Sequence, residues 1–356
     1  MLMLAGLLGL AAVGSVVFMS DETGDEESDL AAAEDASLAT GTAEFMELSA
    51  DTAPLEMEGV AGVSGSHEAV EHAETMGQSA YGPVGVISAS ENGLVIAGDL
   101  GDDDLTGGAG HDQINGYAGD DLILGEDGTD YLHGAEGNDT VHGGPGGDKI
   151  DGDAGDDALL GDGGNDLLRG HGGDDLMSGG TGGDTLEAGF GDDTLSGDAG
   201  ADALHGWHGD DVLDGGAGAD TLFGGFGNDL LRGNEDGPEQ DFLNGGSGLD
   251  TIVAGGGDVV SGGADADTIL LGDWLAQDGP ADIMDFESGE DTLLVLWDLT
   301  QSPDPEVTIE EDADRPSLFH LHVGGEEVAT LRGDAVSAAD IMLMDIADAD
   351  VVRMTG

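Results

Sequence analysis

Between Gly98 and Arg232 an aliphatic side chain returns at every ninth position, flanked by residues of mixed character. The apolar series is Leu105, Ile114, Ile123, Leu132, Val141, Ile150, Leu159, Leu168, Met177, Leu186, Leu195, Leu204, Leu213, Leu222 and Leu231. A nine-residue period fits neither a helix of 3.6 residues per turn nor a long alternating strand. It predicts a unit of three extended residues, with the middle side chain turned inward and its two neighbours outward. The other six residues form a turn. Its fourth place is Gly in all fifteen units and its first place is Gly in fourteen, with Ala188 the exception. Glycine at the first and fourth places, and often at the second, is expected to supply positive φ and close backbone approach. A three-residue strand buries nothing alone, so the units are expected to stack, two per coil, with coils ~4.8 Å apart and their strands parallel.

The polar positions carry the same period. Asp fills the sixth place of every unit: Asp103, Asp112, Asp121, Asp130, Asp139, Asp148, Asp157, Asp166, Asp175, Asp184, Asp193, Asp202, Asp211, Asp220 and Asp229. Stacking brings the Asp of one unit beside that of the next unit but one. Bare carboxylates repel there, whereas a hard cation between them is favoured. Loop carbonyls complete an all-oxygen shell, and with no Cys and scattered His the donor set selects calcium over zinc or copper. One aliphatic residue in nine is too little apolar burial to offset the ordering of the chain, so the ions must contribute. Fifteen loops paired in this way give thirteen shared sites. At an affinity of ~10⁻⁴ M and ~1 mM calcium each site adds ~1.4 kcal/mol, and at submicromolar calcium almost nothing.

Units such as Gly143-Gly144-Pro145-Gly146-Gly147-Asp148-Lys149-Ile150-Asp151 and Gly215-Gly216-Ala217-Gly218-Ala219-Asp220-Thr221-Leu222-Phe223 follow G-G-x-G-x-D-x-U-x at every fixed place. In this the chain resembles the repeats-in-toxin (RTX) family, over about half its length in strict or decayed form. The resemblance implies an all-β protein: a right-handed parallel β-roll with calcium between successive loops on each side. A small C-terminal β-rich cap domain and a disordered N-terminal linker complete the expected architecture. Family members exported by the one-step bacterial type I route carry an uncleaved address near the C-terminus, and residues 335–356 are placed to serve.

The totals agree with a cation-dependent fold. With 78 acidic against 6 basic residues, the net charge of −72 excludes nucleic acid and anionic membrane as partners. Without cations, self-repulsion and 68 glycines are expected to leave the repeats expanded. No disulfide is possible.

Along the chain, residues 1–19 are uncharged and mostly apolar, a membrane-inserting or leader segment with no Lys or Arg beside it to set orientation. Residues 20–83 read as an acidic low-complexity linker, in which His67 and His72 lack metalloprotease spacing because position 71 is Glu. Residues 84–97 are expected to form N-terminal cap strands. Ile96 keeps the apolar phase there while Leu94 replaces the Asp. After the regular block, 98–232, the units of 233–270 change length, which is expected to disturb their loops. Asp250 and Asp267 are counted with the metal-binding set. Residues 271–356 form the cap and export address, with candidate strands at 293–297, 306–310, 318–323 and 326–331 and a Gly324-Gly325 hairpin. Residues 281–293 resemble the acidic segment that closes many family rolls, which implies Phe286 over the end of the core. Trp297 and Phe319 read as core.

No catalytic motif accompanies the repeats: Gly62-Val63-Ser64-Gly65-Ser66 falls one Gly short of a nucleophile elbow. The expectation is a non-enzymatic, secreted protein whose calcium-driven folding serves a structural or surface role. Membrane-anchoring through residues 1–19 is the alternative location. An adhesin or matrix role is the second functional reading, with outward residues Leu122, Leu124, Tyr131, His133, His142, Leu167, Leu176 and Phe223 contacting a glycan or cell-surface partner, and a hydrolase accessory domain is the third.

Overall fold

The computed structural model describes residues 85–345 apart from 91, 234–238, 273–278 and 302. The apolar segment 1–19, the acidic stretch 20–83 and the tail from 346 onward lie outside the described residues. Among the described residues all regular structure is β, and no helix is long and apolar enough to cross a membrane.

Each repeat contributes one strand, and successive strands fall alternately into a fifteen-stranded and a twelve-stranded sheet. Within a sheet the partners are parallel and two units apart: Leu168 stands between Ile150 and Leu186, and Leu159 between Val141 and Met177. The eighth-place side chains therefore make two facing columns, and every one from Leu105 to Leu231 is at most 2% exposed. This parallel β-roll was expected from the period, because one inward residue per strand can be buried only by the coil on either side.

The strands are longer than the three residues expected. Leu167–Gly172, for example, runs from the seventh place into the third place of the following unit. Its pairing skips Gly170, the first-place residue, and resumes at His171. The chain bends at the first place without leaving the sheet, so second- and third-place side chains also stand outside the roll.

The glycines divide by cause. Fourth-place residues such as Gly155, Gly164 and Gly173 have φ of 133°, 140° and 134°, a region closed to side chains. First-place glycines are absent from the positive-φ set, which corrects the expectation for that place. There, an added Cβ would meet the carboxylate of the unit's own Asp: 2.1 Å from Asp121 Oδ2 at Gly116, and 2.0 Å from Asp175 Oδ2 at Gly170.

The length changes after Arg232 do not disturb the register. Leu243 pairs with Leu222, Val260 with Leu243 and Ile269 with Ile252. Parallel pairing aligns the extended segments on either side of the insertion. At the N-terminal end, Gly93–Ala97 continues the fifteen-stranded sheet and Gly85–Ser90 pairs antiparallel with it. At the other end both sheets continue into the cap: Ala281–Ile283 and Glu326–Arg332 extend one, Thr292–Trp297 and Ile341–Asp345 the other. Two antiparallel strands, Leu318–Val323 and Val307–Glu311, finish the fifteen-stranded sheet. Gly324 and Gly325 turn the hairpin at φ of 63° and 89°. Phe286, at 2% exposure, closes the core, and Trp297 and Phe319 pack against it.

Candidate metal centre

The sixth-place aspartates form two ladders, one along each edge of the roll. The first runs through Asp103, Asp121, Asp139, Asp157, Asp175, Asp193, Asp211, Asp229, Asp250, Asp267 and Asp291. The second runs through Asp112, Asp130, Asp148, Asp166, Asp184, Asp202, Asp220, Asp241 and Asp258. In each ladder the backbone N–H of one Asp donates to Oδ1 of the next, at 2.7 Å from Asp112 to Asp130 and 2.8 Å from Asp121 to Asp139. All of these side chains are buried, at 1–3% exposure apart from Asp291 at 6%. The structure thus brings together every Asp of the expected set. It adds Asp291, and also Asp241 and Asp258, which the sequence places in phase with Leu243 and Val260 but in units of irregular length that were left out of the expected set.

The second carboxylate oxygen is what the fold leaves unsatisfied. Oδ2 of Asp112, Asp121, Asp130, Asp139, Asp148, Asp157, Asp166, Asp175, Asp184, Asp193, Asp202, Asp211, Asp229, Asp250 and Asp267 is buried without a hydrogen bond. In Asp103 the buried oxygen lacking one is Oδ1. Buried polar atoms are seldom left in this state in a stable protein, still less ionised ones. At the end of each ladder the pattern changes, because Asp258 and Asp291 accept N–H groups from Gly255 and Glu287 through this oxygen.

Most of these oxygens lie beside the first-place glycine of their unit, Asp193 excepted because Ala188 stands there, and at many of them a carbonyl oxygen from the neighbouring coil approaches the same point. At Gly125 the position a Cβ would take is 2.7 Å from Asp130 Oδ2 and 2.5 Å from the Gly143 carbonyl oxygen. At Gly206 the corresponding oxygens are Asp211 Oδ2 at 2.3 Å and the Gly224 carbonyl at 2.7 Å. Among the described residues no three acidic or histidine side chains converge on one point. A cation between the loops would therefore take carbonyl oxygen as well as carboxylate, the donor set of a hard ion.

Electrostatics point the same way. Burial pushes Asp157, Asp166, Asp175, Asp202, Asp211 and Asp267 up to about 7, and Asp121, Asp130, Asp193, Asp229 and Asp250 up to about 6. The backbone N–H donated to each carboxylate opposes the rise, and for most of them ladder neighbours add to it. With protein atoms alone, burial makes the charged carboxylate costly at each of these positions.

One edge carries a second, exposed ladder. Oδ1 of fifth-place Asp102, Asp120, Asp156, Asp174, Asp192 and Asp210 accepts the N–H of the fifth-place residue in the next coil, as does Oδ1 of Asn138. The opposite edge has no carboxylate at the fifth place: its residues are His111, Thr129, Gly147, Asn165, Gly183, Ala201 and Ala219.

A parallel β-roll with unsatisfied carboxylates laddered along both edges is, as a class, a cation-dependent repeat fold. The family model for the RTX calcium-binding nonapeptide repeat matches residues 97–132, 124–159, 133–168, 151–186, 178–213, 208–237 and 236–269. Residues 97–269 are accordingly RTX repeats, the metal they bind is calcium, and the array is a structural calcium-binding fold. No curated protein matches the chain.

Proposed function

We propose that the protein is a secreted, non-enzymatic β-roll that remains unfolded at cytosolic calcium and folds on reaching calcium outside the cell, where it has a structural or surface role. The carrying observation is the row of buried carboxylate oxygens that accept no hydrogen bond, in a chain of net charge −72. In this reading the ligands are Asp103 through Asp229 at nine-residue spacing, with Asp250 and Asp267, and Asp241 joins them on the same geometry. Calcium supplies positive charge between the ladders; the protein supplies Oδ2 and loop carbonyls, holds Oδ1 on a backbone N–H, and excludes water by burial. Residues 98–270 are the calcium-taking block and 271–356 close it. The tail beyond Ala335 serves as an address for type I export, and residues 1–19 are a leader or an anchor.

Limited proteolysis of the full chain tests this. At submicromolar free calcium, cleavage is expected throughout the repeats, whereas at ~1 mM a fragment beginning near residue 85 resists digestion, because folding of the open state follows ligand occupancy. Equal resistance at both concentrations would rule out a calcium-controlled fold.

A further inference from the structure

The outward face of the fifteen-stranded sheet gathers large aromatic side chains. Four of the eight Phe residues, Phe190, Phe223, Phe226 and Phe242, stand there with Trp207. Phe190, Trp207 and Phe226 are 67%, 46% and 60% exposed. The rings of Phe190, His208 and Phe226 form a row across three strands, with centroids 4.8 and 5.0 Å apart and planes within 13°. Trp207 lies on His205 at 4.4 Å. Neither the core nor the calcium ladders use any of these groups.

Next to this row the surface is hollowed. Gly189 pairs with His171 on one side and Trp207 on the other, so a residue without a side chain separates two ring-bearing strands. The resulting open cleft, about 240 Å³, is lined by Arg169, His171, Glu187, Phe190, Trp207 and His208. That is the room of roughly eight waters, enough for one ring-sized group. Both flanking residues are held in the left-handed region, at φ of 77° for His171 and 74° for Trp207. The second place is left-handed along much of the roll, as at Ala135, Asp153 and Asp162, so a glycine there is compatible with the fold, as Gly189 and Gly225 show.

The charge of the cleft narrows the choice of ligand. Arg169 Nε donates to Glu187 Oε2 at 2.7 Å, so donors and acceptors are present with little net charge. An anion is repelled by the chain as a whole, and a cation finds its carboxylate already neutralised. A protein partner needs a surface of ~800 Å² rather than a slot. An uncharged ligand with an apolar ring face and many hydroxyls suits both the exposed rings and the Arg–Glu–His set.

We propose that the cleft over Gly189, between His171 and Trp207, binds a sugar ring of a neutral polysaccharide. The site exists only in the folded roll and so rests on the calcium-driven folding above. The calcium-loaded full chain would be run through native gels containing dextran, galactomannan or hydroxyethylcellulose, with far-UV circular dichroism of the same samples reporting folding separately. At least one polysaccharide is expected to retard the protein. Trp207→Gly is expected to weaken that binding about tenfold or more, while its spectrum and calcium midpoint equal or better those of the parent. Glu187→Gln should weaken binding too, and Met342→Ala, at an exposed position of the other sheet, should leave it unchanged. Absence of retardation by all three in a folded sample overturns the proposal, as does retardation that survives Trp207→Gly.

Discussion

Gly164→Ala is expected to interrupt the calcium-loaded roll near its middle, with a loss of roughly 3 kcal/mol or more and a marked rise in the calcium needed for folding. A Cβ on Gly164 would lie 1.1 Å from the carbonyl oxygen of Gly146 and 2.3 Å from its carbon, at a φ of +140°. The obstacle is backbone of the adjoining coil, which cannot swing aside as a side chain can. Because each coil touches only its neighbours, one prised-open junction removes the support of the coils on either side. Gly172→Ala is the matched control: its Cβ would find only one atom within reach, the Asp153 carbonyl oxygen at 4.0 Å. It should change stability by no more than about 0.5 kcal/mol. Equal calcium midpoints for the two variants, read by circular dichroism, would show that the coils are not stacked as described.

Acid is expected to stand in for calcium. Aspartate in the unfolded chain titrates near 3.8, whereas burial lifts Asp157, Asp175 and Asp211 to about 7 and Asp121 and Asp229 to about 6. The metal-free roll therefore binds protons that the unfolded chain has released. These carboxylates destabilise it fully above pH 7, progressively less as the pH falls through 7 and 6, and not at all below about 4, where both states are protonated. Keeping one such group charged costs roughly 3 to 4 kcal/mol. A few of them exceed the ~5 to 15 kcal/mol that stabilises a typical domain. In excess chelator the chain should be unfolded at pH 8 and regain strand signal by about pH 4. A flat spectrum between those values would contradict the burial of the ladders.

The core and both ladders were legible because a fixed period aligns like residues in every coil, so Leu168 and Asp157 could be placed without knowing the turn. Other features were hidden for physical reasons. Glycine at the first and fourth places looks the same in sequence, yet Gly170 clears a carboxylate while Gly164 clears a carbonyl and takes a positive φ. Asp241 was in phase but left out of the metal-binding set because its unit is too long, whereas the sheet aligns Leu243 on Leu222 all the same. Of the aromatic face only Phe223, at a ninth place, was picked out, because outward positions were followed only at the seventh and ninth places. Trp207 and Phe190 lie beyond the bend, at second and third places, where pairing resumes.

Calcium titration of the metal-free full chain at pH 7.4, followed by far-UV circular dichroism with magnesium run in parallel, measures the dependence of folding on the ion directly. Calcium at ~0.1 to 1 mM is expected to produce a cooperative gain of strand signal. Magnesium at the same concentration should leave the chain unfolded, since it requires a tighter octahedral shell and gives up its waters reluctantly. A complete strand spectrum in excess chelator, or an equal response to magnesium, would contradict the account.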